Sequence, residues 1–327
     1  MLLEVKNLYV EFRTFDGITK AVNGIDFTVD KGEILGIVGE SGCGKSVCTH
    51  AILQLIPMPP GVVTQGEIIF EGKNLLAMNE EVINQIRGND IGMIFQEPMT
   101  SLNPVFTVED QIVETVKLHM PEISKNKRKE KAIEVLKMVG IPSPESRLKC
   151  YPHELSGGMR QRVMIAMSLV CNPKLLIADE PTTALDVTIQ AQILEIINDL
   201  RKKYGLAVIL ITHDLGVISE TADRVAVMYA GKIIETGTAK QIFNEPTHPY
   251  TIGLLESLPA YESQDVVKSG TGKKLLKTIQ GQVPDMRTRI AGCAFANRCA
   301  LATKECTEVL PQLKEFKPNH LVACLKK

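Results

Sequence analysis

The sequence predicts an α/β protein built on a parallel sheet with helices on both faces. An antiparallel β region, a helical region and a small metal-stapled C-terminal domain complete the expected architecture. Three observations carry this reading. Short apolar runs alternate with longer amphipathic stretches, the strand–helix–strand order that a parallel sheet requires. One apolar run passes directly into a glycine-rich loop. Four of the eight cysteines fall between residues 293 and 324.

Taken in order, residues 2–12 and 21–29 alternate apolar and polar side chains, as half-buried strands do. Residues 33–38 (Glu-Ile-Leu-Gly-Ile-Val) read as a buried strand, and short β runs with turns continue to about residue 75. From about 100 to 171 the pattern becomes helical, with a charged amphipathic stretch at 125–139 and an apolar-periodic one at 159–170. Residues 175–178 and 207–211 are apolar strands, and 188–204 between them is a long amphipathic helix. The runs 225–228 and 232–236, separated by Tyr-Ala-Gly, read as a closing hairpin. Beyond about residue 240, proline and glycine punctuate the chain, and large apolar residues become sparse after 268. These shifts divide the chain into a domain at 1–240, with a helical subdomain at about 97–170, and an appendage at 241–327.

Composition narrows the function. The 327 residues carry a net charge of −1, which argues against nucleic-acid binding by the whole chain, since phosphate neutralisation demands a basic total. The basic bias is local: from 268 to 327, twelve Lys and Arg face four Asp and Glu, a difference of +8. No run reaches the roughly 18 apolar residues that span a bilayer. The start, Met-Leu-Leu-Glu-Val-Lys-Asn, lacks the basic-then-apolar layout of a signal peptide. A cytoplasmic protein is expected.

The strongest motif is Gly39-Glu40-Ser41-Gly42-Cys43-Gly44-Lys45-Ser46, a phosphate loop of pattern G-x-x-x-x-G-K-S. It follows a buried strand and precedes a helix, where curling backbone amides and the helix dipole favour phosphate oxygens. Lys45 supplies a positive charge for the terminal phosphates and Ser46 a hydroxyl for Mg²⁺. Leu175-Leu176-Ile177-Ala178-Asp179-Glu180 ends an apolar strand in two carboxylates at the sheet edge where ligands bind. Neighbouring strand residues point to opposite sides, so Asp179 is assigned to the Mg²⁺ shell and Glu180 to the attacking water. Leu155-Ser156-Gly157-Gly158-Met159-Arg160-Gln161 opens an amphipathic helix and forms a second anion cradle. Two such cradles on one chain make sense when two chains pair head to tail, each completing the other's site.

That segment resembles the L-S-G-G-x-x-Q signature of the ABC ATPases, and the match is complete. The resemblance implies a P-loop NTPase fold with a RecA-like parallel core, and ATP and Mg²⁺ as substrate and cofactor. It also implies roles for further residues. Phe12 matches the aromatic that stacks on adenine, with Phe15 the weaker candidate; Gln96, in Ile-Phe-Gln-Glu-Pro, matches the glutamine that touches Mg²⁺ and water. Asp186 matches the loop facing the opposing subunit, and His213, in Ile-Thr-His-Asp, the switch histidine at the γ-phosphate. The family reading thus places Lys45, Gln96, Glu180 and His213 in catalysis. Nucleotide contacts fall to Gly39, Ser41, Gly42, Cys43, Gly44, Ser46, Ser156, Gly157, Gly158 and Gln161. Soluble ABC proteins fit less well: a DNA-repair ATPase needs a long heptad coiled coil between loop and signature, and ribosome-associated factors usually carry two cassettes.

Two further features resemble the dipeptide/oligopeptide and nickel importer subfamily: the His248-Pro249-Tyr250 segment, and the Cys293, Cys299, Cys306 and Cys324 extension. Phe15-Asp16-Gly17 matches an insertion of the same subfamily. The implied partners are a second, homologous ATPase chain, two membrane permease subunits and an extracytoplasmic peptide-binding protein, with the chain itself peripheral on the inner face of the membrane. In a reducing compartment the cysteine cluster reads as metal rather than disulfide. Gaps of five, six and seventeen residues lack the tight pair of a structural zinc site and suit a 4Fe–4S cluster. Zinc, with His320 as a further ligand, and metal-free thiols remain the alternatives. The phosphate loop belongs to a separate core on this reading, so loss of a tail cysteine is expected to leave nucleotide binding at Lys45 intact.

Overall fold

Chain contacts divide the molecule into two units: Met1–Leu2, Val29–Ile34 and Ala77–Ile211 form the first, Leu3–Thr28, Leu35–Leu76 and Thr212–Lys327 the second. The computed structural model describes residues 1–96, 101–181, 187–258, 278–288 and 290–327.

In the first unit, strands Ile91–Ile94, Leu175–Asp179 and Ala207–Ile211 run parallel, with Leu175–Asp179 in the middle. Every residue of the last two strands is buried, which is why both read as unbroken apolar runs rather than alternating ones. Helix Val187–Tyr204 connects them, the crossover that parallel pairing requires. A helical group comprises Val108–His119, Lys125–Met138 and Gly157–Leu169. Each starts where the sequence supplies a cap: Thr107 and Asp110 form a reciprocal capping box, and Ser124 and Ser156 accept amide hydrogens three residues on.

In the second unit, strands Leu3–Thr14, Gly17–Val29, Gly61–Phe70 and Lys73–Asn74 form a four-stranded sheet. Leu3–Thr14 and Gly61–Phe70 pair antiparallel from Leu3↔Phe70 to Phe12↔Gly61. Phe15 and Asp16 lie between the first two strands, and the Phe15 side chain is fully exposed. A second set of strands begins with Ile34–Val38, parallel to Arg224–Tyr229, which forms the expected hairpin with Lys232–Thr238. His320–Val322 then adds to the hairpin through Glu235↔Val322 and Thr236↔Leu321, and Lys314–Lys317 adds to His320–Val322. The C-terminal segment is therefore an extension of the hairpin sheet.

Among the described residues no helix is long and apolar enough to cross a membrane.

Candidate functional site: a phosphate loop, a carboxylate pair and a thiol cavity

The phosphate loop joins strand Ile34–Val38 to helix Lys45–Ile52. Two of its glycines are required sterically. Gly39 (φ 151°) and Gly44 (φ 102°) adopt the conformations that L side chains resist, and a Cβ on either would collide with the carbonyl oxygen of Met228 or Ala21. Lys45 is buried and folded back on the loop, its Nζ donating to the Gly39 carbonyl at 2.9 Å and the Glu40 carbonyl at 3.1 Å. These are the oxygens from which an ammonium would be released on meeting phosphate. Cys43 is buried with its Sγ 3.9 Å from Lys45 Nζ, and burial pushes its thiol pKa up.

The carboxylate pair lies in the first unit. Asp179 is buried at the end of its strand, in register with Ile211. Glu180 follows in the left-handed region (φ 48°), its N–H donating to Ile211 O at 2.9 Å. A non-glycine residue there holds a strained backbone, which concentrates at functional sites. Gln96, exposed beyond strand Ile91–Ile94, donates its Nε2 to Glu180 Oε2 at 3.0 Å. The structure thus unites two residues that are 84 positions apart in sequence. Ser156 caps helix Gly157–Leu169, accepting from the Met159 amide at 3.3 Å, and Gly157 has open space around it. Gln161 is buried, and its amide donates to the carbonyl of Pro181, the residue after Glu180. The signature helix is thereby tied directly to the carboxylate loop. Asp186 lies outside the described residues.

Of the remaining expected site residues, Phe12 is half-buried near the end of its strand opposite Gly61. His213 is exposed just after strand Ala207–Ile211. Asp214 beside it caps helix Leu215–Thr221, accepting from Gly216 N and Val217 N at 2.9 and 3.2 Å. Ser46 occupies the first turn of the phosphate-loop helix.

Cys293, Cys299, Cys306 and Cys324 all line one cavity of about 20 Å³, beside His248, Phe295 and Leu301. Cys293 N–H donates to Cys306 O at 2.7 Å, which holds two of the thiol segments together. Burial raises the Cys293 thiol pKa, and the other three thiols raise it further. Four thiols lining one cavity have the chemistry of a four-thiolate ligand set. Among the described residues, no group of three or more His, Cys, Asp or Glu is arranged to hold a metal ion, so the expected cluster is not shown. His320, the candidate zinc ligand, is engaged elsewhere: fully buried, its Nε2 lies 2.7 Å from Glu235 Oε1. The same buried carboxylate accepts from Thr247 N at 2.8 Å and His248 N at 2.9 Å. His248 caps helix Pro249–Glu256, its Nδ1 accepting from Tyr250 N at 3.0 Å, and burial pushes its pKa down to about 4.

The tail is not independent of the phosphate loop. Tyr250 Oη accepts from the Glu40 amide at 2.9 Å. Arg298, one residue before Cys299, clasps the Glu40 carboxylate with both terminal nitrogens, at 2.7 and 3.0 Å. Sequence reasoning singled out Tyr250 and Glu40 only as members of their motifs, gave Arg298 no role of its own and missed Glu235. The available signals were a charged residue inside the phosphate loop and an arginine among the tail cysteines.

Comparison with known proteins finds two matching families. The family described as "ABC transporter" matches residues 22–183, and "Oligopeptide/dipeptide transporter, C-terminal region" matches residues 234–306. The oligopeptide transport ATP-binding protein OppD of Bacillus subtilis is 55% identical over 321 residues, covering 98% of this chain and 87% of its own. The dipeptide transport ATP-binding protein DppD of Haemophilus influenzae is 53% identical over 312 residues, covering 95% and 92%. Among solved structures, a dimeric bacterial ABC transporter cassette superposes with a TM-score of 0.66 at 27% identity, covering 72% of this chain and 98% of that one.

Proposed function

The chain belongs to the ATP-binding proteins of the oligopeptide/dipeptide ABC transporters, and on that premise we propose that it hydrolyses ATP to power import of dipeptides or oligopeptides across the cytoplasmic membrane. The observation that carries the peptide reading is that the likeness runs through the tail, over residues 234–306, and not through the cassette alone.

The chemistry is phosphoryl transfer to water, in which positioning and charge neutralisation do most of the work. Lys45 exchanges the carbonyls of Gly39 and Glu40 for the terminal phosphates, while loop amides from Gly39 to Ser46 cradle them and Phe12 stacks on the base. Asp179, Ser46 and Gln96 would hold Mg²⁺, which offsets phosphate charge. Glu180 takes a proton from the attacking water as the new oxygen–γ-phosphorus bond forms and the bond to the β-phosphate oxygen breaks. The hydrogen bond from Gln96 supports Glu180 in this role. His213 contacts the departing γ-phosphate. Ser156, Gly157, Gly158 and Gln161 serve the nucleotide of a second, homologous ATPase chain, and Asp186 faces that chain.

Hydrolysis belongs to residues 1–240, which include the helical subdomain at about 97–170; the loop that begins at Gln96 senses the membrane subunits, and 241–327 is an accessory segment. The remaining partners are two permease subunits and an extracytoplasmic peptide-binding protein, with the chain at the inner face of the membrane; nucleic acid is not a ligand. Cys293, Cys299, Cys306 and Cys324 would hold a 4Fe–4S cluster, which would supply a structural staple, since ATP hydrolysis contains no redox step. Their shared cavity supports this reading.

The test is Glu180→Gln in the assembled transporter. Losing a general base slows a reaction about 10²- to 10⁴-fold, so ATP binding should persist in a trapped closed dimer while hydrolysis and peptide uptake stop. Hydrolysis near the wild-type rate would remove Glu180 from the water-activating role.

A further inference from the structure

Glu40 is the second residue of the phosphate loop, and all three of its polar groups are anchored. Its carbonyl accepts from Lys45 at 3.1 Å and from the Cys43 amide at 3.3 Å, its amide donates to Tyr250 Oη at 2.9 Å, and its carboxylate is held by Arg298 at 2.7 and 3.0 Å. Tyr250 and Arg298 come from beyond residue 240. The Arg298 side chain is only 5% exposed. Its third nitrogen, Nε, donates to Gln280 O at 3.0 Å, while Nη1 also donates to Tyr229 Oη and Nη2 to Ile279 O, each at 3.3 Å. Tyr229, Tyr250 and Phe295 pack ring against ring beneath it, with centroids 4.6 to 5.5 Å apart. A guanidinium so surrounded is a fixed fork, not a solvated surface charge, and a bidentate carboxylate pair of this kind is among the stronger polar contacts.

The consequence concerns charge. A nucleoside triphosphate brings several negative charges to a loop that already contains a carboxylate. Arg298 neutralises that carboxylate and fixes its direction, and when Lys45 turns to the phosphates Tyr250 and Arg298 still hold Glu40 from outside the loop, beside the Cys43 N–H within it. We infer that Arg298 is a positioning residue for ATP binding: from the C-terminal segment it neutralises Glu40 and holds the start of the phosphate loop in its phosphate-accepting shape. The inference rests on Lys45 and its loop being the nucleotide site, and it gives the tail a direct part in nucleotide affinity. Because Arg298 adjoins Cys299 and Phe295 lines the thiol cavity, the organisation of that cavity sets where the guanidinium stands.

Equilibrium binding of fluorescent ATP and ADP analogues to the full chain tests this, with Lys45→Ala as the control that abolishes the site. Arg298→Ala should raise the Kd for ATP about tenfold at low salt, from the bare carboxylate facing added phosphate charge. The increase should be smaller for ADP, which carries less charge, and should shrink as salt rises. The double variant Glu40→Gln/Arg298→Ala removes the repelling charge and should return to within about threefold of wild type. A purely structural role for Arg298 would instead weaken ATP and ADP alike and would not be rescued. Arg298→Ala within twofold of wild type, or a double variant as weak as the single one, would overturn the inference. If Arg298→Ala does not fold, Arg298→Lys, which keeps the charge but loses the fork, carries the test with an expected rise of about threefold; unchanged affinity there overturns it equally. Failure of the wild-type chain to bind either nucleotide would instead bring down the ATPase reading and this inference together.

Discussion

Removing the Glu235 carboxylate should loosen the C-terminal segment. Glu235 sits on strand Lys232–Thr238 with no solvent exposure, and three donors converge on it: Thr247 N–H, His248 N–H and the His320 ring at 2.8, 2.9 and 2.7 Å. Glu235→Ala strands all three in a place that water does not reach. Each stranded buried donor costs about 1–3 kcal/mol, and breaking one partner out of a buried pair costs about 3–5 kcal/mol. The costs overlap, so the expected loss is about 4–6 kcal/mol, against a total stability of about 5–15 kcal/mol for an ordinary domain. Such a loss should open strands Lys314–Lys317 and His320–Val322 and helix Pro249–Glu256 before the rest of the protein. Glu235→Gln should cost less, about 1–3 kcal/mol, because its oxygen still serves Thr247 and His320 while its NH₂ opposes only the His248 N–H. Hydrogen exchange resolved by mass spectrometry reads this directly. Protection should fall sharply across 245–256 and 314–323 in the alanine variant and modestly in the glutamine variant. Alanine-variant exchange equal to wild type in both segments would refute the idea that one carboxylate fastens the tail.

Two further outcomes are expected. Cys299→Ser should remove the brown absorption near about 400 nm and the complement of about four irons that anaerobic purification is expected to give; because Arg298 is the preceding residue, it should also weaken ATP binding about threefold, and unchanged affinity would mean the thiol cavity does not act on Glu40. The isolated chain should be a weak ATPase that gains activity with its partner subunits if, as proposed, each composite site takes a Ser-Gly-Gly segment from the opposing chain; full activity at high dilution in the absence of a partner would contradict that.

Much of the nucleotide site was legible because its chemistry is written in contiguous residues. The phosphate loop follows an all-buried strand, and a run of five apolar residues before Gly39 marks that strand without reference to anything distant. The same holds for Leu175–Asp179 and Ala207–Ile211, whose unbroken apolar character follows from burial on both faces. The Gln96–Glu180 contact is different in kind. The family resemblance supplied the two residues, whereas the fold supplies the 3.0 Å hydrogen bond between them.

The tail was read less well, for a physical reason. Lys314–Lys317 (Lys-Glu-Phe-Lys) is exposed at all four positions and has neither the propensity nor the alternation of a half-buried strand. It is a strand because His320–Val322 pairs with it and in turn with the hairpin, so its structure comes from a partner rather than from its own residues. Glu235 looks in sequence like the polar position of an edge strand; it is buried because His320, 85 residues later, meets it there. Glu40 and Arg298 are 258 residues apart, and neither position has a periodicity or spacing that refers to the other. Treating the appendage as separable was a sound inference from composition, since sparse large apolar residues imply a segment that cannot fold on its own core. The same sparseness has a second consequence that composition does not reveal. A segment without a core of its own must take its order from neighbouring structure, and here it does so through the hairpin sheet and through polar anchors on the phosphate loop. A tail bound in that way cannot change state without changing what Glu40 is attached to.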